Sequence, residues 1–294
     1  MLYVRILLCA VIILTLTSIV SYKILMDRPL RGVSSTKMQL RGVPSTKLQF
    51  DLVVLVLSAR ENRAVRDAIR RTWAHGHPNV YFVVGRECPY SKEDREPWTC
   101  TPKPNAVRQH MDDVESSSDM IVVDVVDVYR NLALKLRAAY DWVLENTKAK
   151  YTLKIDDDCL VRVDALNKWL HNRTARPYEI IAAGYARNAY VFRSGKWKEQ
   201  LFQGRVYPPF PSGAGHMISR PVLEYLYAHP YTWVSYQGED TSVGIWIDAV
   251  RKNISIRMVS TRHFTVSNTN CYDKEKLVVG HDLSIEKMES CWRS

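Results

Sequence analysis

Apolar runs of strand length alternate with amphipathic helical patterns through the first half of the chain. The strand-like runs are 51–58 (DLVVLVLS), 79–85 (NVYFVVG), 120–126 (MIVVDVV) and 151–155 (YTLKI). The helical patterns are 60–73 and 131–146, where apolar residues recur at helical spacing. Strands and helices in this order predict an α/β fold with a mostly parallel central sheet flanked by helices. In such sheets, ligands bind at the carboxyl ends of the strands.

The rest of the chain has shorter and less regular segments. Residues 86–118 are polar and contain prolines, which predicts an irregular loop. The run at 207–215 is rich in proline, glycine and aromatic residues and cannot be helical. The other predicted segments are a strand at 180–186, a short apolar run at 216–219, and helices at 220–228 and 243–250. Asp240 or Thr241 is well placed to cap the last helix.

The N-terminal residues predict a membrane anchor followed by a stem. An uninterrupted run of apolar or small residues at 6–20 approaches the roughly 20 residues that span a bilayer, and we assign 6–26 to an uncleaved anchor. A cleaved signal peptide is the alternative. Residues 1–5 are then a cytoplasmic tail, and 27–50 form a polar stem that contains a near-exact ten-residue duplication. Residues 51–294 remain as the lumenal domain.

Charge and sequons narrow the setting of this domain. The formal net charge is +10, from 41 Lys and Arg against 31 Asp and Glu, and the basic residues are spread along the chain. This distribution suits an anionic ligand or an acidic membrane surface. The lack of a basic block, a zinc spacing or an RNA-binding signature argues against nucleic acid as a partner. Asn172 and Asn253 begin N-x-S/T triplets, which favour a lumenal location.

The cysteines predict two short disulfide loops in an oxidising compartment. We pair Cys88 with Cys100 and Cys271 with Cys291, because each pair closes a short loop. Cys159 is left over beside a group of carboxylates. A buried free thiol that packs behind a strand is favoured for Cys159 over a ligand to a soft metal.

Three consecutive carboxylates, Asp156, Asp157 and Asp158, follow the predicted strand at 151–155. Adjacent carboxylates repel one another unless a positive charge lies among them. A hard divalent cation with oxygen ligands is one solution. A solvated acidic turn is the other, but an acidic turn needs no apolar strand before it. A cation site benefits from a rigid strand end, so the flanking residues favour the cation.

Seven motifs in sequence order carry a resemblance to a known family. They are AIRRTW (68–73), YFVVG (81–85), DVYRNLALK (127–135), DDD (156–158), YPPFPSGAGHMIS (207–219), GEDTSVG (238–244) and VVGHDLSIEKM (278–288). Together, over residues 51–292, they resemble the β-1,3-galactosyltransferases, a family of inverting enzymes that includes N-acetylglucosaminyl- and N-acetylgalactosaminyltransferases. The resemblance implies a GT-A fold, a UDP-sugar donor, Mn²⁺ and a type II protein of the Golgi membrane or the endoplasmic reticulum.

The resemblance also implies roles for the carboxylates and for one histidine. Asp158 is implied as a metal ligand, Asp156 faces the ribose of the nucleotide, and Asp157 is a candidate for either role. His281 matches the second metal ligand of the family, with Gly280 before it where valine is more usual. His263 is the alternative to His281.

Inversion requires a base that deprotonates the acceptor hydroxyl. The family's base is the Asp of an E-D-V-x-x-G motif, which matches Asp240, although Thr241 occupies the usual valine position. Glu239 is the alternative base, or it holds the acceptor. A helix N-cap is the competing, purely structural role for Asp240.

Basic and aromatic side chains are further candidates for substrate binding. The cations that could reach the uracil or the diphosphate are Arg60, Arg66, Arg70 and Lys135, with Lys154 as a similar case. Each could instead be a surface cation or form an ion pair. The candidates for stacking on a sugar, which could equally be core residues, are Trp197, Tyr207, Phe210 and Trp233. Where the family has G-G-G-Y, this chain has Gly213-Ala214-Gly215-His216, which leaves the shape of the sugar pocket open.

These residues predict a metal-dependent, inverting β-1,3-glycosyltransferase that moves galactose from UDP-galactose to a glycan on protein, lipid or proteoglycan. N-acetylgalactosamine or N-acetylglucosamine are the alternative sugars. A lumenal glycan-binding protein without turnover is an alternative of a different class, motivated by Ala214 and Thr241. A metal-dependent nuclease would also use clustered carboxylates, but it does not suit an anchored protein with sequons.

Overall fold

The computed structural model describes residues 47–109, 115–174 and 176–294. The predicted tail at 1–5, the anchor at 6–26 and the stem up to residue 46 lie outside the described residues. Within the described part, no helix combines the length and apolar character needed to cross a bilayer.

Most predicted strands form close to their predicted bounds, and short strands are added in the second half. The strands are β1 (Leu52–Leu57), β2 (Val80–Arg86), β3 (Met120–Val126), β4 (Tyr151–Asp156), β5 (Leu160–Val161), β6 (Glu179–Ala182), β7 (Tyr185–Ala186), β8 (Phe210–Pro211), β9 (Gly215–Ser219), β10 (Arg257–Ser260), β11 (Phe264–Thr265) and β12 (Val278–Val279). The predicted strand at 180–186 is two strands, β6 and β7, which belong to different sheets.

The helices flank these strands. They are α1 (Arg63–Arg71), α2 (Leu132–Asn146), α3 (Val163–Asn172), α4 (Arg220–Ala228), α5 (Glu239–Val250) and α6 (Ile285–Arg293). The sequence patterns predict α1, α2, α4 and α5. They do not predict α3 or α6.

The central sheet has the strand order β10-β6-β9-β4-β1-β2-β3. β1 lies parallel to both β2 and β4, which confirms the parallel half predicted from the alternating pattern. β9 is inserted antiparallel between β4 and β6, so the sheet is mixed. The whole of β1 is buried, as its continuous apolar run predicts for a central strand. The carboxyl ends of β1 and β4 therefore lie side by side.

The structure confirms the predicted states of the cysteines and contradicts the predicted cap of α5. Both predicted disulfides are formed, and Cys159 is a buried free thiol, as predicted. The predicted N-cap of α5 is wrong, because the helix begins at Glu239 and the residue before it, Gly238, offers no side chain. Asp240 therefore lies in the first turn, where its carboxylate is not used as the cap.

Candidate active site

The carboxylates that end β4 face different parts of the molecule. Asp157 Oδ2 accepts hydrogen bonds from Ser58 Oγ at 2.7 Å and Asn62 Nδ2 at 3.0 Å, which tie it to the segment after β1. Asp158 Oδ2 accepts the backbone N–H of Asp282 at 2.9 Å. Separate partners relieve the repulsion that three adjacent carboxylates would otherwise have.

Asp158 and His281 come together because two short strands pair. β5, directly after the carboxylates, lies antiparallel to β12, directly before the histidine. This pairing leaves His281 Nδ1 3.7 Å from Asp158 Oδ2. Asp282 completes the group, and one ligand atom from each of the three residues lies within 4.8 Å of the others.

Asp282 is the member of this group that the sequence motifs miss. Its backbone has φ of 63°, in the left-handed region that aspartate adopts more readily than most residues. In this conformation the backbone N–H holds Asp158 while the carboxylate stays near His281, with Oδ1 3.5 Å from Nδ1. Two carboxylates and an imidazole are a donor set that suits Mn²⁺. His263, the alternative ligand, instead places Nδ1 2.9 Å from the carbonyl oxygen of Glu275.

A buried lysine joins Asp156 to α5, the helix that carries the predicted base Asp240. The Lys154 ammonium lies 2.9 Å from Asp156 Oδ1 and donates to Glu239 Oε1 and to the Gly213 carbonyl oxygen, each at 2.5 Å. Burial alone would lower the pKa of Lys154, but the two carboxylates hold it above its ordinary value. The sequence places Lys154 only among general candidates for phosphate binding. Its position on β4, two residues before Asp156, is what makes it a bridge.

Asp240 lies beside this bridge, at the start of α5. Its Oδ1 accepts the N–H of Thr241 at 2.7 Å, and a Cβ at Gly213 would lie 3.3 Å from its Oδ2. Gly244 lets α5 approach this closely, since a Cβ there would lie 2.5 Å from Phe210 Cβ. Gly213 and Gly244, which have no side chains, therefore allow Asp240 to pack against the backbone that precedes β9.

The setting of Asp240 suits a general base. Burial, followed by the neighbouring Glu239 carboxylate, raises the pKa of Asp240 to about 7. A base is most effective when its pKa lies near the working pH. Burial also raises the pKa of Asp156, and the Lys154 ammonium opposes that shift.

A cavity of about 470 Å³ opens at the carboxyl ends of β1 and β3. Ser58, which bonds Asp157, lines one side of the cavity, and Tyr129 lines another. The outer wall comes from the disulfide loop closed by Cys88 and Cys100, which contributes Trp98, Lys92 and Arg95, and from Lys103 just after that loop. The apolar side chains suit an aromatic base, while the rim carries the acidic residues Glu61 and Glu96 as well as the cations.

Two predicted donor-binding arginines are used inside the fold. Arg66 is 1% exposed and donates to Ser58 Oγ, to the backbone carbonyls of Ala59 and Arg60, and to Glu115. It shapes the loop that lines the cavity. Arg70 pairs with Asp119, Asp67 and Glu115 and lines a different cavity, so it is not brought to the carboxylate group.

The other two predicted cations lie close to the cavity. Lys135 Nζ donates at 2.7 Å to both the Ser58 carbonyl oxygen and Asp127 Oδ1, and its methylenes line the cavity wall. Burial lowers the pKa of Lys135, and Asp127 opposes the shift. Arg60 Nη1 reaches the carbonyl oxygen of Gly85 at 3.5 Å, across the ends of β1 and β2.

The departures from the family's small-residue motif are accommodated by specific contacts. His216, in place of the family's tyrosine, is fully buried, and its Nε2 lies 2.7 Å from the Tyr140 hydroxyl. Burial lowers the pKa of His216 to about 3, so this imidazole is neutral. Ala214 faces Gly280, where an added Cβ would lie 2.4 Å from the Ala214 Cβ. The methyl group of Ala214 therefore occupies the space that a side chain at position 280 would need.

The sequence of this chain is similar to those of known proteins. A family model described as Galactosyltransferase matches residues 64–257. UDP-GalNAc:beta-1,3-N-acetylgalactosaminyltransferase 2 of Danio rerio is 39% identical over 132 residues, which are 45% of this chain and 27% of the relative. The chain thus matches about a quarter of that relative's length. Beta-1,3-galactosyltransferase 1 of Mus musculus is 28% identical over 259 residues, covering 82% of this chain and 72% of the relative. A solved galactosyltransferase in complex with donor and acceptor sugar analogues aligns with a TM-score of 0.37 and 10% identity, over 82% of this chain and 95% of its own.

Proposed function

The chain belongs to the galactosyltransferase family, and we propose that it is an inverting, metal-dependent β-1,3-glycosyltransferase that moves galactose from a UDP donor to a glycan hydroxyl. The acceptor glycan would be carried by protein, lipid or proteoglycan. One observation carries the proposal. The Lys154 ammonium joins Asp156, beside the metal-ligating group, to Glu239, beside the base Asp240, so groups for the donor and the acceptor meet in one network.

Asp158, His281 and Asp282 would hold the divalent cation, and their mixed oxygen and nitrogen atoms fit Mn²⁺. When bound, the cation supplies positive charge that stabilises the departing diphosphate. Within the chain, the Asp282 backbone N–H holds the Asp158 carboxylate in place. The pairing of β5 with β12 sets the distance between Asp158 and His281.

Asp240 would take the proton from the acceptor hydroxyl. As the hydroxyl oxygen bonds to C1 of the sugar, the bond from C1 to the UDP oxygen breaks on the opposite face, which inverts the anomeric configuration. A carboxylate whose pKa is raised toward 7 accepts this proton more readily than an ordinary one. Glu239 is held by Lys154 and is therefore less available as a base.

N-acetylgalactosamine is the second candidate for the transferred sugar. The relative of higher identity, 39%, is an N-acetylgalactosaminyltransferase, while the galactosyltransferase matches a larger share of the chain, 82%. The two donors differ at C2 of the sugar, so the pocket around that carbon decides between them. The same reaction with N-acetylglucosamine is the remaining alternative.

We propose a Golgi membrane location with the enzyme domain on the lumenal side. Two observations support this proposal. Asn172 and Asn253 are both exposed, so the sequons are accessible to a glycosylating enzyme. Two disulfides are formed within the described residues, which suits an oxidising compartment. The endoplasmic reticulum is the alternative location.

The deciding experiment is a donor panel with the purified chain. UDP-galactose, UDP-N-acetylgalactosamine and UDP-N-acetylglucosamine are each offered with β-linked acceptors, with Mn²⁺ and with EDTA. We expect transfer from one of the first two donors and loss of transfer in EDTA. Sugar binding without turnover of any donor would favour a glycan-binding protein and contradict the proposal.

Asp240→Asn tests the base. An asparagine keeps an oxygen that can accept the Thr241 N–H, so we expect UDP binding to persist while transfer falls at least a hundredfold. Asp248→Asn on the same helix is the matched control, because Asp248 pairs with Arg251 on the surface, and it should stay close to wild-type activity. Near-normal turnover of Asp240→Asn combined with inactivity of Glu239→Gln would move the base to Glu239.

A further inference from the structure

Four aromatic residues were candidates for sugar contact, and the structure separates them. Trp233 is 2% exposed and Tyr207 is 7% exposed, so both belong to the core. Phe210 packs against Gly244 beneath α5. Trp197, in contrast, is 56% exposed and lies on the long segment between β7 and β8. Packing within the fold therefore does not account for Trp197, as it does for the other three aromatic residues.

Trp197 touches a residue of the active site. Its Nε1 donates to the Tyr129 hydroxyl at 3.2 Å. Tyr129 lines the cavity at the ends of β1 and β3. The pKa of Tyr129 is raised mainly by burial and also by the charges of Glu239, Asp240 and Asp156, so its hydroxyl lies within their field. The exposed indole is thus hydrogen-bonded to a cavity residue that lies within the field of the proposed base.

Trp197 does not stand alone on this surface. Phe192 is 55% exposed, and its ring centroid lies 5.8 Å from that of Trp197. Solvent-exposed aromatic pairs are costly unless they have a use, because apolar surface is left in water. Flat aromatic faces beside polar groups are suited to the apolar face of a pyranose ring.

Buried polar contacts hold this segment in place. Glu199 is 1% exposed and accepts the backbone N–H groups of Leu201 and Phe202. Its other oxygen accepts the N–H of Gln237 at 2.7 Å. Gln237 lies two residues before Glu239, so the same carboxylate ties the aromatic segment to the start of α5.

A second tie runs through Arg130, the residue after Tyr129. Its guanidinium donates to the carbonyl oxygens of Lys198, at 2.7 Å, and Gly195, at 3.2 Å, on either side of Trp197. It also donates to Gln237 Oε1 at 2.7 Å. The indole is therefore fixed relative to both the cavity wall and the base helix, which is the arrangement expected of a preorganised binding surface.

From this geometry we propose that Trp197, supported by Phe192, is the platform on which the acceptor saccharide stacks. The inference rests on the proposed function, and it names Trp197 as the residue that sets acceptor affinity. The ligand is a neutral pyranose with one apolar face. The acceptor ring lies on the indole while its hydroxyl points past Tyr129 toward Asp240.

The test compares Trp197→Ala with wild type and with Trp292→Ala. Trp292 is also partly exposed, at 36%, but it lies on the C-terminal helix and serves as the matched control. With methyl β-galactoside and methyl β-N-acetylglucosaminide as acceptors, Trp197→Ala should raise the acceptor KM roughly threefold to tenfold. The donor KM and the rate of donor hydrolysis without acceptor should not change. Trp197→Phe should recover most of the acceptor affinity, because it keeps an aromatic face.

Binding gives a readout that does not depend on turnover. In saturation-transfer NMR with UDP and Mn²⁺ present, the ring protons of the methyl glycosides should receive saturation from wild type and Trp292→Ala, and much less from Trp197→Ala. No transfer to either glycoside in the wild type overturns the inference, as does an equal effect of Trp292→Ala or a matching rise in donor KM. Failure of the proposed function is distinct, because it would appear as loss of UDP binding and donor hydrolysis in the wild type itself.

Discussion

Ala214 and Gly280 lie against each other, and each differs from the residue that is usual in the family. We predict that the added methyl group at 214 compensates for the missing side chain at 280. Gly280 precedes His281, a proposed metal ligand, and Ala214 precedes β9, which pairs with the strand that ends in the carboxylates. An added Cβ at Gly280 would lie 2.4 Å from the Ala214 Cβ and 3.4 Å from Cys159 Sγ. Separations under about 3 Å force one of the partners to move. The family has valine at the position of Gly280 and glycine at the position of Ala214.

The expected magnitude follows from these distances. Gly280→Val places three carbon atoms where the Ala214 methyl leaves no room, and overpacking of this kind costs about 1–3 kcal/mol. Ala214→Gly removes the obstructing methyl and alone should cost about 1 kcal/mol, mostly from backbone entropy. The double variant restores the family's pair, so the coupling free energy should be about 1–2 kcal/mol in favour of the double variant.

Denaturant unfolding of the four proteins measures this coupling, and Mn²⁺ titration shows its effect on the site. Gly280→Val should also weaken Mn²⁺ binding, because His281 is the next residue, and Ala214→Gly should restore it. Val279→Ala is a useful control for a nearby change without a clash. Additive effects of the two substitutions, within about 0.3 kcal/mol, would refute the reasoning.

Two further predictions follow from the charged network. Lys154→Met leaves Glu239 and Asp156 without their shared cation, and we expect a loss of about 3 kcal/mol in the free energy of unfolding by denaturant; a loss below about 1 kcal/mol would contradict this role. Asp240→Asn should stabilise the fold by about 1–2 kcal/mol at pH 8 and not at pH 4. The raised pKa of Asp240 means that the folded state keeps the proton, so stability falls as pH rises from about 4 to about 7, and the asparagine removes that loss. Equal stability of both proteins at pH 8 in thermal unfolding would count against the raised pKa.

The parallel half of the sheet could be predicted from sequence because β1 is apolar throughout and because an amphipathic helix follows β1 and another precedes β4. The antiparallel β9 could not be, since a short apolar run of five residues carries no sign of its direction. The helix α6 was missed for a related reason. It is polar over much of its length and buries only Met288 and Cys291 in the core, so its apolar face is too narrow to give a helical pattern, and its Ser284 cap and the Cys271–Cys291 bond add to its stability.

The residues of the candidate site also divide into those that the sequence predicts and those that only the structure reveals. The resemblance supplies Asp158, His281 and Asp240, and the structure brings the first two together. The resemblance does not supply Asp282, whose position depends on a left-handed backbone conformation, or the bridging position of Lys154, which depends on strand register. Arg66 and Arg70 show the reverse error, since charge alone does not distinguish an arginine that faces a cavity from one that pairs with a buried carboxylate.

The bond between the Asp282 N–H and Asp158 joins residues 124 positions apart, and this separation affects when the candidate site is complete during synthesis. The strands that build the cavity emerge from the ribosome early and can pair with one another. The proposed cation site, however, is complete only after β12 has added to β5, near the end of synthesis. Affinity for the proposed cation would therefore report that the C-terminal strands have folded onto the rest of the domain. A chain that stops short of this strand would contain all the residues that line the cavity and would lack two of the three proposed cation ligands.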